Sequence, residues 1–294
     1  MPKGPAILHA ESFAALPWLA HGFSTRSNPA GSPEDFNLGF TSGARRAAVE
    51  RDRAAFLEQI GAQRGGKAWP LLTLRQVHSD LVRVVGAPGD VRSRSLRGVR
   101  LPGDGLITRS AGLALAVLTA DCLPVLVADA RRRVVAAFHA GWRGTARRIV
   151  ERGVWAMRMI FHSRPSDLRA AIGPGIHACC YQVGDEVRDL YRSQFDYAAD
   201  LLREVFDVDP VRRKYPLLFL SARAPGHAEV SRQVHLDLVE ANRRQLLAAG
   251  VPDEHISVID FCTACRADLL YSYRREGRRT GRMMAVVGIR RASR

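Results

Sequence analysis

The sequence predicts an α+β or mixed α/β fold. The 294-residue chain mixes apolar runs of strand length with longer runs of helical periodicity. Two of the strand-like runs are joined by a short polar loop, which indicates an antiparallel hairpin and argues against a purely parallel sheet. Because no internal repeat or low-complexity linker divides the chain, we expect residues 1–294 to form a single domain.

The elements follow from the spacing of apolar residues and from stop signals. In chain order, the predicted strands are Leu81–Val85, Leu113–Thr119, Leu123–Ala128, Val134–Phe138, Leu168–Ile172, His255–Phe261 and Met283–Gly288. The predicted helices are Arg45–Ile60, Ala146–Phe161, Val183–Tyr191 and Leu236–Ala249. Gly250 and Pro252 directly follow the last helix, and both residue types stop helices.

The charge of the chain is strongly basic, with a formal net charge of +15 at pH 7. Only Lys3, Lys67 and Lys214 are lysines, so the other 41 of the 44 basic residues are arginines, a skew that is typical of coding bias. The arginines are scattered, with short clusters at 131–133 and 212–214, and no aromatic residues are interleaved with them as in RNA-binding proteins. We therefore expect no nucleic-acid partner.

The cysteine pattern and the hydropathy favour a cytoplasmic protein. The chain has five cysteines, an odd number, and two of them are adjacent, which suits a reducing compartment better than a disulfide framework. No apolar run reaches the roughly 18 residues that a membrane span requires. We expect no membrane association.

The predicted hairpin suggests a metal site. If its turn centres between Ala130 and Arg131, Cys122 lies directly opposite His139, where Cβ atoms are about 4.5–5.5 Å apart. Such a pair suits either two ligands of one metal or a thiolate–imidazolium pair. His78 closes a segment, Leu71–Val77, that can bring it to the same end of a sheet. Two imidazoles and one thiolate form a set that catalytic zinc can use with an open position for water.

The segment after His139 suggests an anion site. Gly141 and Gly144 lie in a loop that leads into a helix predicted to start near Ala146, and the N-terminus of a helix attracts anions. Arg143 can add a bidentate contact to phosphate. Alternatively, the glycines only permit a tight turn and Thr145 is an N-cap residue.

Several motifs occur together in a fixed order along the chain. They are Gln76-Val77-His78, Asp104-Gly105-Leu106-Ile107-Thr108, Thr119-Ala120-Asp121-Cys122-Leu123-Pro124, His139-Ala140-Gly141-Trp142-Arg143-Gly144-Thr145, Ile172-Gly173-Pro174-Gly175-Ile176, Cys179-Cys180-Tyr181-Gln182-Val183-Gly184, Asp237-Leu238, Cys262-Thr263, Ser272-Tyr273-Arg274-Arg275 and Thr280-Gly281-Arg282. With this set the chain resembles the bacterial laccase-domain or polyphenol oxidase family, from about residue 21 to residue 289. Members of that family are also called purine nucleoside phosphorylases, and some are called peptidoglycan editing factors.

The resemblance implies a fold, a site and an activity. The implied fold is a three-layer α/β arrangement with mixed sheets, and the implied metal ligands are His78, Cys122 and His139. The implied reactions are phosphorolysis of adenosine, inosine and methylthioadenosine, and deamination of adenosine. One motif departs from the family, which usually has a Gly-Gly turn after its Phe-x-x-Arg, where this chain continues with Ser27-Asn28-Pro29.

The remaining site residues are assigned by their chemistry and by their motifs. Asp121, beside Cys122, is the candidate proton shuttle. The candidate phosphate ligands are Arg143 and the amides of Gly144 and Thr145, whereas Gln76 and Arg26 are further candidates for substrate binding. The expected partners are purine nucleosides and inorganic phosphate; the oligomeric state is left open.

Three alternatives compete with a zinc-dependent phosphorylase. Two histidines and a cysteine also suit copper, although a multicopper oxidase needs paired histidines and the sequence contains no His-x-His. Cys122 and His139 can instead form the nucleophile and base of a hydrolase that acts in peptidoglycan quality control. A non-enzymatic protein that binds RNA or another partner would require a closed structural metal site.

Overall fold

A computed structural model describes residues 6–28, 36–41, 43–86, 101–206 and 232–291. The chain divides into two compact units, of which unit 1 comprises Met1–His177 and Leu238–Arg294 and unit 2 comprises Ala178–Asp237. This division does not test the single domain predicted for residues 1–294, which stays a prediction.

Strands and helices are interspersed along the chain. The strands are β1 (Ile7–Leu8), β2 (Leu19–Ser24), β3 (Gln63–Arg64), β4 (Lys67–Ala68), β5 (Leu71–Leu72), β6 (Val82–Val85), β7 (Gly105–Thr108), β8 (Ala114–Thr119), β9 (Leu123–Asp129), β10 (Val135–Ala140), β11 (Leu168–Ile172), β12 (Gln182–Val183), β13 (Leu202–Phe206), β14 (Arg232–Leu236), β15 (Ile256–Val258) and β16 (Met283–Ile289). The helices are α1 (Arg46–Gln59), α2 (Trp142–Ala146), α3 (Ile149–Phe161), α4 (Asp185–Gln194), α5 (Ala198–Leu201), α6 (Leu238–Ala248) and α7 (Tyr273–Glu276).

Unit 1 contains two larger sheets, and both are mixed. The five-stranded sheet has the order β1-β2-β16-β8-β5, in which only the β5–β8 pair is parallel. The six-stranded sheet has the order β15-β11-β9-β10-β7-β6, with an antiparallel centre and a parallel pair at each edge. The predicted fold class, with mixed sheets and helices, is confirmed.

The main core lies between these two sheets, because alternate residues of their strands face each other. Leu115 and Val117 of β8 belong to one apolar cluster with Val135 and Ala137 of β10. The intervening residues of β8 face the other way, towards a second cluster that includes Phe56 of α1.

Helices flank the paired sheets on both sides. α1 covers the outer face of the five-stranded sheet, whereas α3 and α6 pack on the outer face of the six-stranded sheet. Gly153 permits the close approach of α3, since a Cβ at this position would collide with the ring of Phe138 in β10. The site described below lies at one end of this arrangement.

The register predicted for the β9–β10 hairpin is wrong. His139 pairs with Pro124 rather than with Cys122, because the turn centres one residue further along than predicted. The Asp129 carboxylate accepts hydrogen bonds from the amides of Arg131 and Arg132 at 2.9 and 2.8 Å, and Arg133 takes a left-handed φ of 53°. These contacts stabilise a four-residue loop between Asp129 and Val134.

The helix predicted from Ala146 to Phe161 is two helices. α2 begins four residues earlier, at Trp142, and α3 begins at Ile149. Arg148 separates them with a left-handed φ of 62°, which breaks the helical hydrogen-bond pattern. The apolar period continues through this break, and the sequence therefore shows one long helix.

Two buried strands of unit 1, β2 and β7, were not predicted. β2 lies between β1 and β16 and is almost wholly buried, yet its sequence contains His21, Gly22 and Ser24. Neither alternation nor β-branched residues mark it, because both of its faces are covered. The predicted strand His255–Phe261 is also shorter than expected, since only Ile256–Val258 pairs with β11.

Unit 2 has a three-stranded antiparallel sheet in the order β12-β14-β13, with α4 and α5. The helix predicted at Val183 begins at Asp185, since Gln182 and Val183 pair with β14. Asp185 and Glu186 lie in its first turn, where acidic side chains interact favourably with the helix dipole. Among the described residues, no helix combines the length and the apolarity that a membrane crossing requires.

Candidate metal centre

Three potential metal ligands converge in unit 1, although they are distant in sequence. His78, Cys122 and His139 each offer one donor atom, and these atoms lie within 4.8 Å of one another. The rings of His78 and His139 meet edge to face, with centroids 4.9 Å apart. His139 is buried, Cys122 is half-buried and His78 is exposed, so the cluster is accessible from one side.

The β9–β10 hairpin brings Cys122 and His139 together despite the register error. Cys122 is two residues from Pro124, the strand partner of His139, and is therefore a diagonal neighbour on the same face. A displacement of two residues keeps side chains on the same face, whereas a displacement of one would have separated them. Val135 and Ala137, which alternate with His139, place this face towards the other sheet.

Asp104 orients both histidines. It precedes β7, which pairs with β10, and its carboxylate Oδ1 lies 2.8 Å from Nδ1 of His139. The same carboxylate accepts hydrogen bonds from the amides of Val77, His78 and Ser79 and from the Ser79 hydroxyl. Burial would raise the pKa of Asp104, but the hydrogen bonds from His139 and Ser79 outweigh burial and lower the pKa to about 2. Asp104 is therefore a fully buried carboxylate that stays ionised.

The loop that carries His78 is held at both of its ends. His78 has a left-handed φ of 58°, which is uncommon for a residue with a side chain and costs energy unless neighbouring contacts impose it. Asp104 supplies these contacts through the three amides. Before His78, the amide group of Gln76 pairs with the backbone of Leu118 at 2.7 and 2.8 Å. Gln76, predicted to bind substrate, thus uses its amide to attach this loop to β8.

The residue before Cys122 is also strained and also anchored. Asp121 has a φ of 90°, and its carboxylate accepts hydrogen bonds of 2.6 Å from the Thr263 hydroxyl and from the amide of Arg274. Its backbone carbonyl accepts a hydrogen bond from Ile176 at 2.7 Å. These contacts hold the turn from which Cys122 projects.

Gly141 lies directly against two of the three ligands. A Cβ atom at this position would be 2.8 Å from Sγ of Cys122 and 3.3 Å from Cδ2 of His78. Its φ of −77° is ordinary, so the requirement for glycine is one of space rather than of backbone conformation. Gly141 is the N-cap residue of α2 and connects the site to that helix.

The electrostatics of the cluster favour a thiolate. Burial would raise the pKa of Cys122, but the charges of His139 and His78 and hydrogen bonds from them lower it to about 6. Burial would lower the pKa of His139, but Cys122 and Asp104 raise it to about 9. A thiolate is the form of cysteine that binds metals and also the form that acts as a nucleophile.

The donor set fits a metal ion. Because Nδ1 of His139 faces Asp104, its Nε2 remains for a metal, and a carboxylate that orients a ligating histidine in this way is a common feature of metal sites. Two imidazoles and a thiolate suit zinc with an open position, and they also suit copper. The cluster therefore indicates a metal site but not which metal binds.

The predicted anion loop is arranged differently from the expectation. Since α2 begins at Trp142, the amide of Thr145 donates to the carbonyl of Gly141 at 2.8 Å and is not available to an anion. The Thr145 hydroxyl contacts Asn242, and Gly144 is buried against the carbonyl of Ser79. Arg143 is exposed, and its guanidinium lies 4.2 Å from the ring centre of Trp142.

Arg26 is held by contacts with other parts of the protein. Its guanidinium donates to Glu276 at 2.9 Å and to the carbonyl of Ala267 at 2.7 Å, and it lies over the ring of Tyr271. Glu276, the last residue of α7, also accepts a hydrogen bond from Thr280, so the ion pair ties the segment that follows β2 to α7.

Three residues that matter to this site were not assigned from the sequence, although each lies in a quoted motif. They are Asp104, Gly141 and Arg282. Asp104 could have been recognised as a carboxylate partner of His139, since ligating histidines commonly have such a partner. The space requirement at Gly141 had no signal in a single sequence.

Arg282 precedes β16 and is half-buried beside the cluster. Burial lowers its pKa below the ordinary value, whereas the neighbouring Cys122, Tyr273 and Asp121 act in the opposite direction. Its Nη1 donates to the carbonyls of Thr280 and Gly281. Within the parts of the chain that the structure describes, its other guanidinium nitrogens donate to no protein group.

Comparison with known proteins agrees with the motif resemblance. Purine nucleoside phosphorylase YlmD of Geobacillus stearothermophilus is 36% identical over 258 residues, which are 86% of this chain and 83% of that protein. Adenosine deaminase RL5, from an unknown prokaryotic organism, is 34% identical over 72% of each chain. The crystal structure of Bacillus licheniformis hypothetical protein YfiH matches with a TM-score of 0.78 at 29% identity and covers 97% of both chains.

A family match extends over nearly the whole chain. Residues 20–290 match the family described as multi-copper polyphenol oxidoreductase laccase, and this range agrees with the one expected from the motifs. The predicted resemblance is confirmed. The chain belongs to the multi-copper polyphenol oxidoreductase laccase family.

Proposed function

We propose that this protein is a metal-dependent nucleoside-processing enzyme, and specifically a zinc-dependent purine nucleoside phosphorylase. Its substrates are adenosine, inosine and methylthioadenosine, with phosphate as co-substrate, and it also deaminates adenosine. The observation that carries the proposal is the convergence of His78, Cys122 and His139 on one point with one side accessible. The names of the relatives support the substrate class.

The residues of the chain hold the metal and keep its ligands in the form that binds. Asp104 fixes the ring of His139 and the backbone at His78, and the two histidines lower the pKa of Cys122 towards the thiolate. The metal that these residues would hold would supply Lewis acidity, which lowers the pKa of a coordinated water molecule far below that of bulk water, to about 7. The loops at His78 and Asp121 have uncommon backbone conformations but are fixed by hydrogen bonds. The site is therefore organised before substrate arrives.

Arg282 and Arg143 are the proposed phosphate ligands. The guanidinium of Arg282 has N–H donors that no described protein group accepts. It also lies close enough to Cys122 for the two side chains to interact electrostatically. A fork of donors on a half-buried cation suits a phosphate oxygen pair. Arg143 is exposed at the start of α2, two residues from Gly141, and can contribute from the solvent side.

Asp121 has a positioning role in this proposal. Both of its carboxylate oxygens already accept short hydrogen bonds from Thr263 and Arg274, which favours holding Cys122 in place over transfer of a proton. An Asp121→Asn variant distinguishes the two roles. If Asp121 shuttles protons, the variant loses the acidic limb of its pH–rate profile, whereas a positioning residue lowers zinc affinity instead.

The test of the proposal is a panel of nucleosides with and without phosphate, with products identified by mass. The wild type should release free purine and ribose 1-phosphate only when phosphate is present, and inosine from adenosine without phosphate. Cys122→Ala should lose both activities together with the metal. His162→Ala removes an exposed imidazole outside the donor set and serves as the control. Phosphate-independent release of purine, or full activity of Cys122→Ala, would contradict the proposal.

Metal analysis of the same protein preparation identifies the bound ion. Protein expressed without added metal should contain zinc, and zinc should restore activity after removal by a chelator. Oxidation of a phenol that requires copper, without phosphorolysis by the zinc form, would instead favour the polyphenol oxidase that the family description names.

A cysteine hydrolase is the second candidate function, because Asp104, His139 and Cys122 form a continuous acid–imidazole–thiol arrangement. Such an arrangement activates a nucleophilic cysteine. In that case a chelator leaves the activity unchanged and Cys122→Ser abolishes formation of an acyl-enzyme. The candidate substrates are then peptidoglycan fragments rather than nucleosides.

A further inference from the structure

A second candidate site lies at the opposite end of the β9–β10 hairpin from the metal centre. There a cleft of about 500 Å³ is lined by five arginines, together with apolar residues. The arginines are Arg109, Arg131, Arg132, Arg133 and Arg290. β9 has seven residues, and a strand rises about 3.3 Å per residue, so the cleft lies roughly 20 Å from Cys122. It is therefore distinct from the metal centre.

Three of these arginines are presented by an ordered turn. The buried Asp129 accepts hydrogen bonds from the amides of Arg131 and Arg132, and its carbonyl accepts one from Arg133. These contacts fix the backbone of the turn at the end of a strand pair that is buried on both faces. The cost of ordering the backbone of the turn is thus already met before a ligand arrives.

The five guanidinium groups differ in how they are held. Arg290 donates to the backbone carbonyls of Gly61 and Ile60 at 3.0 Å each, and Arg131 forms an ion pair with Asp167. Within the described ranges, the side chains of Arg109, Arg132 and Arg133 form no hydrogen bond or ion pair, and Arg133 lies over the ring of Trp18. Three guanidinium groups at this cleft therefore have unused N–H donors.

The charge of the cleft is unbalanced. Among the residues that the structure describes, no acidic side chain lines it, and Asp167 contacts one of its arginines. Asp129, beneath the turn, adds one buried carboxylate. Like charges that converge on a concave surface repel each other, and a multivalent anion relieves the repulsion. Arginine is the side chain best suited to phosphate oxygens, because its planar fork donates two parallel hydrogen bonds.

The size and lining of the cleft indicate the class of ligand. A single phosphate group engages one or two guanidinium groups, whereas five of them around one cleft suit several linked phosphates. The volume falls within the range of about 300–1,000 Å³ that is typical of small-molecule sites. Phe161 is partly exposed and adds an apolar surface beside the charges, against which a base can pack, whereas Val134 and Ile289 of the lining are buried.

We infer that this cleft binds an oligophosphate chain, carried either by a nucleoside di- or triphosphate or by an inorganic oligophosphate. The inference does not depend on the proposed reaction at the metal centre, and either can fail without the other.

Calorimetric titration of the full chain with tripolyphosphate, ATP and AMP tests this inference. Tripolyphosphate and ATP should bind at physiological ionic strength, and AMP should bind more weakly. The double variant Arg109→Ala/Arg132→Ala should weaken both by at least about tenfold, since each lost contact is a hydrogen bond to a charged group. Tighter binding of ATP than of tripolyphosphate identifies a nucleotide as the ligand, and equal binding identifies the oligophosphate chain itself.

The matched control removes the same charge elsewhere. Arg147→Ala/Arg158→Ala changes two exposed arginines outside the cleft and should leave the affinity unchanged. Equal losses of affinity in the two double variants would show that binding depends on the net charge of +15 rather than on the cleft, and would overturn the inference. Binding of an RNA oligonucleotide without binding of tripolyphosphate would also overturn it, in favour of a nucleic-acid surface. Phosphorolysis by Arg109→Ala/Arg132→Ala should equal that of the wild type.

Discussion

At the scale of single residues, the candidate metal centre depends on side chains outside the donor set of His78, Cys122 and His139. Asp104 receives hydrogen bonds from His139 and from the backbone around His78, so one buried carboxylate sets the position of two ligands. Asp121 does the same for Cys122 through Thr263 and Arg274. The uncommon backbone conformations at His78 and Asp121 persist because these contacts impose them.

We expect Asp104→Asn to weaken metal binding by about 10- to 100-fold, which is the usual effect of losing a partner of a ligating histidine. The amide cannot accept all the hydrogen bonds that the carboxylate accepts, and it lacks the charge that orients the His139 ring. Competition with a chelating dye measures the affinity. Asp167→Asn, at an acidic residue that pairs with Arg131, is the control. Unchanged affinity in Asp104→Asn would remove the orienting role of Asp104.

We expect Gly141→Ala to lose bound metal while the chain stays folded. The added methyl group would lie 2.8 Å from the Cys122 sulfur, so the ligand must move. Metal content and circular dichroism of the same sample separate loss of the site from loss of the fold. Gly184→Ala is the matched control, because the added Cβ would meet only the flexible end of the Glu186 side chain. A fully metallated Gly141→Ala protein would show that the site adapts.

At the scale of elements, the hairpin shows why the ligand pair tolerates an error in register. β9 and β10 alternate their side chains between two faces, so a change of partner by two residues keeps Cys122 and His139 on one face. The face on which a side chain lies depends only on whether its position along the strand is odd or even. The actual partner depends on the loop, where Asp129 and the left-handed Arg133 determine the length.

We expect His162→Gly to stabilise the protein by about 1 kcal/mol, because left-handed backbone penalises residues that have a Cβ. His162 ends α3 with φ 56° and ψ 31°, and its amide caps the helix at the Met157 carbonyl. Its side chain is exposed, so little packing is lost. Chemical denaturation measures the free energy of unfolding. His162→Ala keeps the Cβ and should give no such gain; an equal gain there would contradict the explanation.

At the scale of the whole molecule, the two sheets of unit 1 enclose ionisable groups whose protonation affects folding. His21 in β2 accepts a hydrogen bond from the amide of Ala10 at 3.2 Å and packs against the ring of Phe13. Burial, and then the charges of His9 and Arg290, lower its pKa from 6.5 to about 4. The native state therefore contains the neutral imidazole.

We expect the free energy of unfolding to fall as the pH decreases from about 6.5 to about 4, by about 3 kcal/mol for His21. In this window the unfolded chain takes up a proton that the native state excludes, so the stabilisation is complete above pH 6.5 and is lost below it. Denaturation at several pH values measures this slope. His21→Gln should reduce the slope, whereas the exposed His162→Gln should not. An unchanged slope in His21→Gln would assign the acid sensitivity to other groups.

The sequence by itself determined the fold class, most elements of unit 1 and the three metal-ligand candidates. Alternation and helical period arise between residues close in the chain, and the thiolate and imidazole donors are recognisable by type and by motif. The same patterns do not reveal β2, since a strand covered on both faces shows no alternation. The roles of Gln76, Arg143 and Arg26 in substrate binding stay predictions.

Only the tertiary structure decided what holds the candidate ligands in place. Asp104 is 35 residues from His139 and 26 from His78, and the 2.8 Å contact between Asp104 and His139 exists because β7 pairs with β10. The space at Gly141 and the five arginines at the cleft likewise arise where distant segments meet. Local sequence patterns record which face of an element is apolar, but the packing of whole elements determines which polar side chains become neighbours.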